Sequence, residues 1–159
     1  MAGLEDLYRE IILDHYRAPR NRGELPVPPA HMVEGFNPLC GDEVVLYLDV
    51  VDGAIVDVRT AGQGCSISQA STSMMSAAVK GKPVDEARHL IRAFLSLMSN
   101  HESQLEGLDP ANPGDAAVEG VRLGDLEALQ GVVKFPVRIK CARLAWDTLE
   151  QGLDESAAS

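Results

Sequence analysis

Residues 40–66, CGDEVVLYLDVVDGAIVDVRTAGQGCS, contain two segments rich in β-branched residues and, between them, a strong turn signal. The two segments are 44–50 and 54–60, and the valine and isoleucine that fill them are favoured in strands. Asp52-Gly53 between the segments is typical of the tight turns that join antiparallel strands. The stretch therefore predicts a β-hairpin, which brings the residues before it close to the residues after it.

Three isolated cysteines and one aspartate form a candidate split metal site. Cys40 and Asp42 precede the hairpin, Cys65 follows it, and Cys141 lies far along the chain in a predicted helix. Three thiolates and one carboxylate supply four ligands, the number that tetrahedral zinc takes. Cys65 also follows a glycine turn and opens a helix, where the helix dipole stabilises a thiolate. Three buried free thiols are the alternative, because cysteine is among the most buried residue types.

The composition indicates a single globular domain that spans residues 1–159. The net charge is −10, from 24 acidic and 14 basic residues, and this charge repels the phosphate backbone of nucleic acids. No apolar stretch is long enough to span a bilayer. An odd number of cysteines and an acidic N-terminus argue against secretion. We therefore expect a cytoplasmic protein that binds neither nucleic acid nor membrane.

Apolar residues at helical spacing predict four main helices around the hairpin. The helices span about 4–15, 66–80, 83–98 and 136–151, with a further short helix at 125–129. Residues 99–120 are expected to form a surface excursion, and a partly helical structure there stays open. The stretch Pro19-Arg20-Asn21-Arg22-Gly23 ends the first helix, because proline and glycine interrupt the helical pattern. The predicted elements are thus helices on both sides of one hairpin in the chain.

Three separated motifs occur in an order that resembles a known family. They are Cys40-Gly41-Asp42, then Gly64-Cys65-Ser66 at the start of a helix rich in serine and alanine, then Lys140-Cys141-Ala142 in the last helix. Together with the run Pro19-Arg20-Asn21-Arg22-Gly23, these motifs resemble the IscU-type iron–sulfur cluster assembly proteins, which are NifU N-terminal-like, and most closely their SufU branch. The resemblance covers nearly the whole chain.

The chain departs from scaffold-type IscU proteins in two places. Lys140 stands where those proteins carry a histidine directly before the last cysteine. Phe135-Pro136-Val137-Arg138 stands in place of their Pro-Pro-Val-Lys chaperone motif. The missing histidine favours sulfur transfer over cluster assembly, and the altered motif argues against chaperone-assisted handoff of a cluster.

The resemblance implies an α+β fold, in which a small antiparallel β-sheet of about three strands packs against α-helices as in IscU. A third strand is expected near residues 31–35. The resemblance also implies a metal site formed by Cys40, Asp42, Cys65 and Cys141. This site is expected to bind Zn²⁺ or, as the alternative, iron in a [2Fe–2S] cluster.

The resemblance further implies a zinc-dependent sulfurtransferase that accepts persulfide sulfur from a SufS-like cysteine desulfurase and serves the iron–sulfur assembly machinery. Cys40 is the expected acceptor because it lies on a loop that can reach into another protein's active site, whereas Cys65 and Cys141 lie at helix ends. Arg138 is a candidate to stabilise a sulfur anion or contact the partner, and an exposed arginine without such a role is the alternative. Two other functions stay open: a scaffold that assembles a [2Fe–2S] cluster and passes it to apo-proteins, and a protein whose zinc is only structural.

Overall fold

The structure, a computed structural model, describes residues 4–27, 29–38, 41–105, 129 and 136–158. Within these residues the chain forms four helices and three strands. In chain order they are α1 (Leu4–Arg17), β1 (His31–Asn37), β2 (Asp42–Val51), β3 (Ala54–Gln63), α2 (Ser66–Val79), α3 (Val84–Leu105) and α4 (Pro136–Ala158). The predicted α+β class is confirmed.

The three strands form one antiparallel sheet in the order β1-β2-β3. The predicted hairpin is confirmed, and Asp52 and Gly53 at its tip both have positive φ, at 52° and 77°, as a type I′ turn requires. The third strand, expected near residues 31–35, occurs there and continues to Asn37. Asn37 lies opposite Asp42, so the end of β1 meets the start of β2.

One face of the sheet is buried beneath the helices. The inward side chains of β2 are Val44, Leu46 and Leu48. In the core, Phe94 of α3 and Trp146 of α4 stack with their ring centroids 4.6 Å apart. Trp146 also donates its indole N–H to Oγ of Ser71 in α2 at 3.1 Å, and that hydroxyl donates to the carbonyl oxygen of Ala142 at 2.6 Å. These contacts hold α4 against α2 and so determine where Cys141 lies.

Buried hydrogen bonds connect α1 to α2. Nδ1 of His15 lies 2.8 Å from Oγ of Ser73, and the same oxygen accepts the backbone N–H of Arg20 at 2.9 Å. His15 is 3% exposed, so its imidazole joins two helices in the protein interior. Buried polar groups need partners of this kind, because an unpaired one loses its hydrogen bonds to water without compensation.

The segment that ends α1 also connects it to β3. The Arg20 guanidinium donates to Oδ2 of Asp14 at 2.6 Å, and this hydrogen bond and charge hold the pKa of Asp14 below its ordinary value. Further along, the carbonyl oxygen of Asn21 accepts the N–H of Thr60 at 2.9 Å, and Gly23 donates its N–H to the carbonyl oxygen of Thr60 at 3.0 Å. The proline- and arginine-rich stretch therefore covers the outer edge of the sheet.

Helix α4 is longer than the sequence pattern predicts. It continues to Ala158, beyond the predicted end at residue 151. Gly152 lies inside it, and a β-carbon there would approach side-chain atoms of Leu48 and Val33 to 2.7 and 2.8 Å. Glycine at this position therefore lets the helix lie close to the sheet.

Helix α3 also continues past its predicted end, as far as Leu105. The predicted excursion at 99–120 is thus helical up to that residue, and its remainder lies outside the described residues. Residues 125–128 of the predicted short helix lie outside them as well, whereas Leu129 is buried in the core. None of the described helices is long and apolar enough to cross a membrane.

Candidate metal centre

Asp42, Cys65 and Cys141 come together at one end of the hairpin. A carboxylate oxygen and the two sulfurs all lie within 4.8 Å of one another. Asp42 is the first residue of β2, Cys65 directly precedes α2, and Cys141 lies in the second turn of α4. The structure thus brings together three of the four ligands expected from the sequence. The fourth, Cys40, lies outside the described residues.

The Asp42 carboxylate is fully buried, and its two oxygens differ in their hydrogen bonding to the described residues. Oδ1 accepts the backbone N–H of Cys65 at 3.0 Å. Oδ2 is buried and has no hydrogen-bond partner in the part of the chain that the structure describes. Leaving a buried acceptor unpaired costs about 1–3 kcal/mol, and more when the group is charged. A cation held by the two neighbouring sulfurs would provide the missing partner, so the residues fit a metal ion.

Cys65 occupies the N-cap position of α2, with φ −70° and ψ 170°. Its sulfur accepts the backbone N–H of Ser68 at 3.5 Å, as capping side chains do. The side chain is half-buried, so solvent reaches this sulfur more readily than the buried one of Cys141.

The sulfur of Cys141 is in contact with an amide that the sequence analysis missed. Nδ2 of Asn37 donates to Sγ of Cys141 at 3.9 Å, and both residues are buried. The signal in the sequence was the place of Asn37 near a predicted strand, three residues before Cys40. No local pattern connects it with Cys141, because the two residues lie 104 positions apart.

The donor atoms indicate which kind of metal the site accepts. Two sulfurs and one carboxylate suit zinc or iron, whereas Mg²⁺ and Ca²⁺ prefer sites made of oxygen ligands alone. Tetrahedral zinc takes four ligands, one more than the three that the described residues bring together. Zinc is therefore compatible with this site if one further ligand joins it.

Arg138 and Lys140 lie on the first turns of α4 with exposed side chains, and neither belongs to the Asp/Cys/Cys group. Next to the metal centre is an open groove with a volume of about 440 Å³, formed where the end of β1 meets α4. Lys140 lines it together with Asn37 and with Phe36, which is 59% exposed. The groove and the metal centre thus share Asn37.

The chain is similar to known proteins along most of its length. Residues 7–142 match the family described as the NifU-like N terminal domain. The zinc-dependent sulfurtransferase SufU of Bacillus subtilis (strain 168) is 41% identical over 152 residues, which are 96% of this chain and 92% of that protein. The iron–sulfur cluster assembly scaffold protein IscU of Streptococcus pyogenes serotype M1 is 38% identical over 157 residues, or 99% of this chain and 89% of that protein.

A solved structure has a similar fold. The crystal structure of the N-terminal part of a nitrogen-fixing NifU-like protein from Brucella abortus superposes with a TM-score of 0.77 at 22% identity, covering 98% of each chain. With the family match and the two relatives above, the chain belongs to the SufU/IscU family of iron–sulfur cluster assembly proteins. These relatives include a sulfurtransferase and a scaffold, so the choice between the two roles rests on the residues of the site.

Proposed function

We propose that this protein is a zinc-dependent sulfur acceptor, which takes persulfide sulfur from a cysteine desulfurase for iron–sulfur cluster assembly. The proposal is supported chiefly by the buried Asp42 carboxylate, which lies beside the sulfurs of Cys65 and Cys141 and whose Oδ2 has no hydrogen-bond partner among the described residues. A carboxylate is a harder ligand than a thiolate and leaves a soft metal more easily. Structural zinc sites normally use cysteine and histidine throughout, so an aspartate supports a site that loosens during transfer.

Cys40 is the proposed fourth ligand. It directly precedes Gly41, whose backbone N–H donates to the carbonyl oxygen of Asn37 at 2.8 Å. It also lies two residues before Asp42, and two residues of chain span at most about 7 Å. A thiolate from Cys40 would give three sulfurs and one oxygen, a set that supports tetrahedral zinc.

Zinc at this site would keep the ligand thiols deprotonated at neutral pH and restrain their reactivity until coordination loosens. In the transfer step, the thiolate of Cys40 attacks the outer sulfur of the desulfurase's cysteine persulfide. A new S–S bond forms on Cys40 while the S–S bond of the donor breaks, and the donor cysteine leaves as a thiolate. The transferred sulfur keeps its oxidation state, so the step needs no added oxidant or reductant.

A sulfur acceptor must enter the active site of the desulfurase, and the three cysteines differ in how well they can do so. Cys141 is 0% exposed, and the sulfur of Cys65 is held at the start of α2 by the N–H of Ser68. Cys40 lies in the connection between β1 and β2, which supports it as the acceptor. Arg138, exposed on the first turn of α4, is proposed to stabilise the sulfur anion or to contact the desulfurase, because a guanidinium ion is a strong partner for anions.

A second candidate function is a scaffold on which a [2Fe–2S] cluster is assembled and passed to apo-proteins. The same cysteines can ligate iron, and the relative from Streptococcus pyogenes is named as a scaffold. Lys140 is an exposed ammonium side chain at the position where scaffold-type IscU proteins carry histidine. It offers no imidazole ligand for iron, and this difference supports transfer over the scaffold role.

Peptide mass spectrometry after brief incubation of the zinc-loaded protein with a SufS-type desulfurase and cysteine tests the proposal. We expect added sulfur on the peptide that contains Cys40, together with faster desulfurase turnover. Cys40→Ser should abolish both effects while the circular dichroism spectrum stays unchanged. If the added sulfur is found mainly on Cys65 or Cys141, the scaffold function replaces this proposal. The same holds if the protein does not stimulate desulfurase turnover and carries a stable iron–sulfur cluster after reconstitution.

A further inference from the structure

Asn37 is in contact with two parts of the metal centre. Its Nδ2 donates to Sγ of Cys141 at 3.9 Å, and its backbone carbonyl oxygen accepts the N–H of Gly41 at 2.8 Å. Gly41 separates Cys40 from Asp42 in the chain. Asn37, the last residue of β1, is therefore hydrogen-bonded to the candidate ligand Cys141 and to Gly41, which lies between the candidate ligands Cys40 and Asp42.

The register of the sheet explains how Asn37 reaches this position. Val33, Gly35 and Asn37 alternate along β1 and lie on the side of the strand that faces α4. A β-carbon on Gly35 would collide with the side chain of Thr148 in α4, so the helix packs closely on this part of the strand. Asn37 is the next position on that side and pairs with Asp42. The last residue of a strand that is paired with β2, and not an exposed loop, thus positions the amide.

A hydrogen bond from an N–H group lowers the negative charge and the nucleophilicity of the thiolate sulfur that accepts it. The N–H withdraws charge from the sulfur, which makes the sulfur a poorer nucleophile and holds its orientation. Partners of this kind around metal ligands typically change metal affinity about 10–100-fold. The sulfur of Cys65 receives a similar donor, the N–H of Ser68 at 3.5 Å. Both cysteines proposed as fixed ligands therefore accept an N–H.

We propose that Asn37 is a positioning residue that keeps the Cys141 thiolate on the metal while Cys40 transfers sulfur. This inference rests on the metal site and the transfer role proposed above. The amide makes the sulfur of Cys141 the poorer nucleophile, and because an amide is neutral it does so at every pH at which the protein is folded. The second hydrogen bond, from the N–H of Gly41, holds the residue between Cys40 and Asp42 at the end of β1.

The cobalt-substituted protein provides the test, because thiolate-to-cobalt charge-transfer absorption depends on the charge on the sulfur. Asn37→Leu removes the donor and keeps a branched side chain, and Asn37→Ser leaves a side chain too short to reach Cys141. Both variants should move the absorption to lower energy and weaken zinc binding roughly tenfold in competition with a chelator. Asn37→Gln, which retains an amide, should lie closer to the wild type on both measurements.

Thr148→Val is the matched control. Thr148 is a buried polar residue of the same contact between β1 and α4, and its hydroxyl donates within α4, to the carbonyl oxygen of Leu144 at 2.7 Å. This variant should leave the absorption unchanged. The inference would be overturned if a folded Asn37→Leu or Asn37→Ser protein kept the absorption and the zinc affinity of the wild type. An equal shift of the absorption in Thr148→Val would overturn it as well. Neither measurement uses the desulfurase, so absence of sulfur transfer by the wild-type protein would count against the proposed function alone.

Discussion

A β-carbon on Gly64 would lie 2.5 Å from Oδ1 of Asp42 and 3.1 Å from its Cγ. The backbone at residue 64 therefore packs directly on the buried carboxylate of the metal centre. The same oxygen accepts the N–H of Cys65, the next residue in the chain. Asp42, a candidate ligand on β2, thus requires glycine at position 64, because any side chain there would displace the carboxylate.

Gly64→Ala should weaken zinc binding about tenfold or more, although it changes no ligand, because the added methyl group moves Asp42. Competition with a chromophoric zinc chelator measures the effect. Gly81→Ala is the control: among the described residues other than its two chain neighbours, no atom lies within 4 Å of where the β-carbon would be, but the φ of +80° makes the change strained. That control should lose about 1 kcal/mol of stability with zinc affinity unchanged. Wild-type affinity in Gly64→Ala would show that the carboxylate can move without loss of the metal.

Removal of zinc should destabilise the protein, because the site joins β2, α2 and α4 and its binding energy contributes to folding. At zinc concentrations about a thousandfold above Kd, linkage gives roughly 4 kcal/mol. For a chain of this length that corresponds to a decrease in Tm on the order of 10 °C. Scanning calorimetry with and without chelator measures it. Cys141→Ser should unfold at nearly the same temperature under both conditions, and a chelator effect as large as in the wild type would place the metal elsewhere.

Arg138→Ala should slow sulfur transfer several-fold while zinc content and Tm stay at wild-type values. Arg138 is exposed two residues before Lys140 on α4, and its guanidinium is proposed above as a partner for the sulfur anion, so its loss should slow the transfer. Arg92→Ala is the matched control, since Arg92 is an exposed arginine on α3. Initial rates of persulfide formation at several desulfurase concentrations distinguish weaker docking from a slower step. Equal rates for the two variants would mean that Arg138 is only a surface charge.

Ser73→Ala should destabilise the protein by about 1–3 kcal/mol, because it removes the buried hydroxyl that contacts Nδ1 of His15 and accepts the backbone N–H of Arg20. Urea denaturation at neutral pH measures the change. Ser96→Ala, at a half-buried position of α3, is the control and should change stability by about 0.5 kcal/mol at most. A similar small effect of Ser73→Ala would show that water replaces the lost hydroxyl.

The sequence by itself determined the local elements and the candidate ligands. The hairpin follows from β-branched segments on either side of Asp52-Gly53, because strand and turn preferences act within a few residues. The starts of α2 and of α3 follow in the same way from the helical period and its interruption by glycine and proline. Asp42 and the cysteines could be selected as candidates because few side chains bind soft metals.

Only the tertiary structure decided which of these groups meet. Asn37 and Cys141 are adjacent because α4 packs across the end of β1, and no short stretch of sequence specifies that packing. Gly152 lies inside α4 because the helix must approach the sheet closely there, although its local sequence predicts an earlier end. The physical reason is the same in both cases. Burial of apolar faces is determined by the whole chain, and the polar groups that it buries then need partners from distant segments.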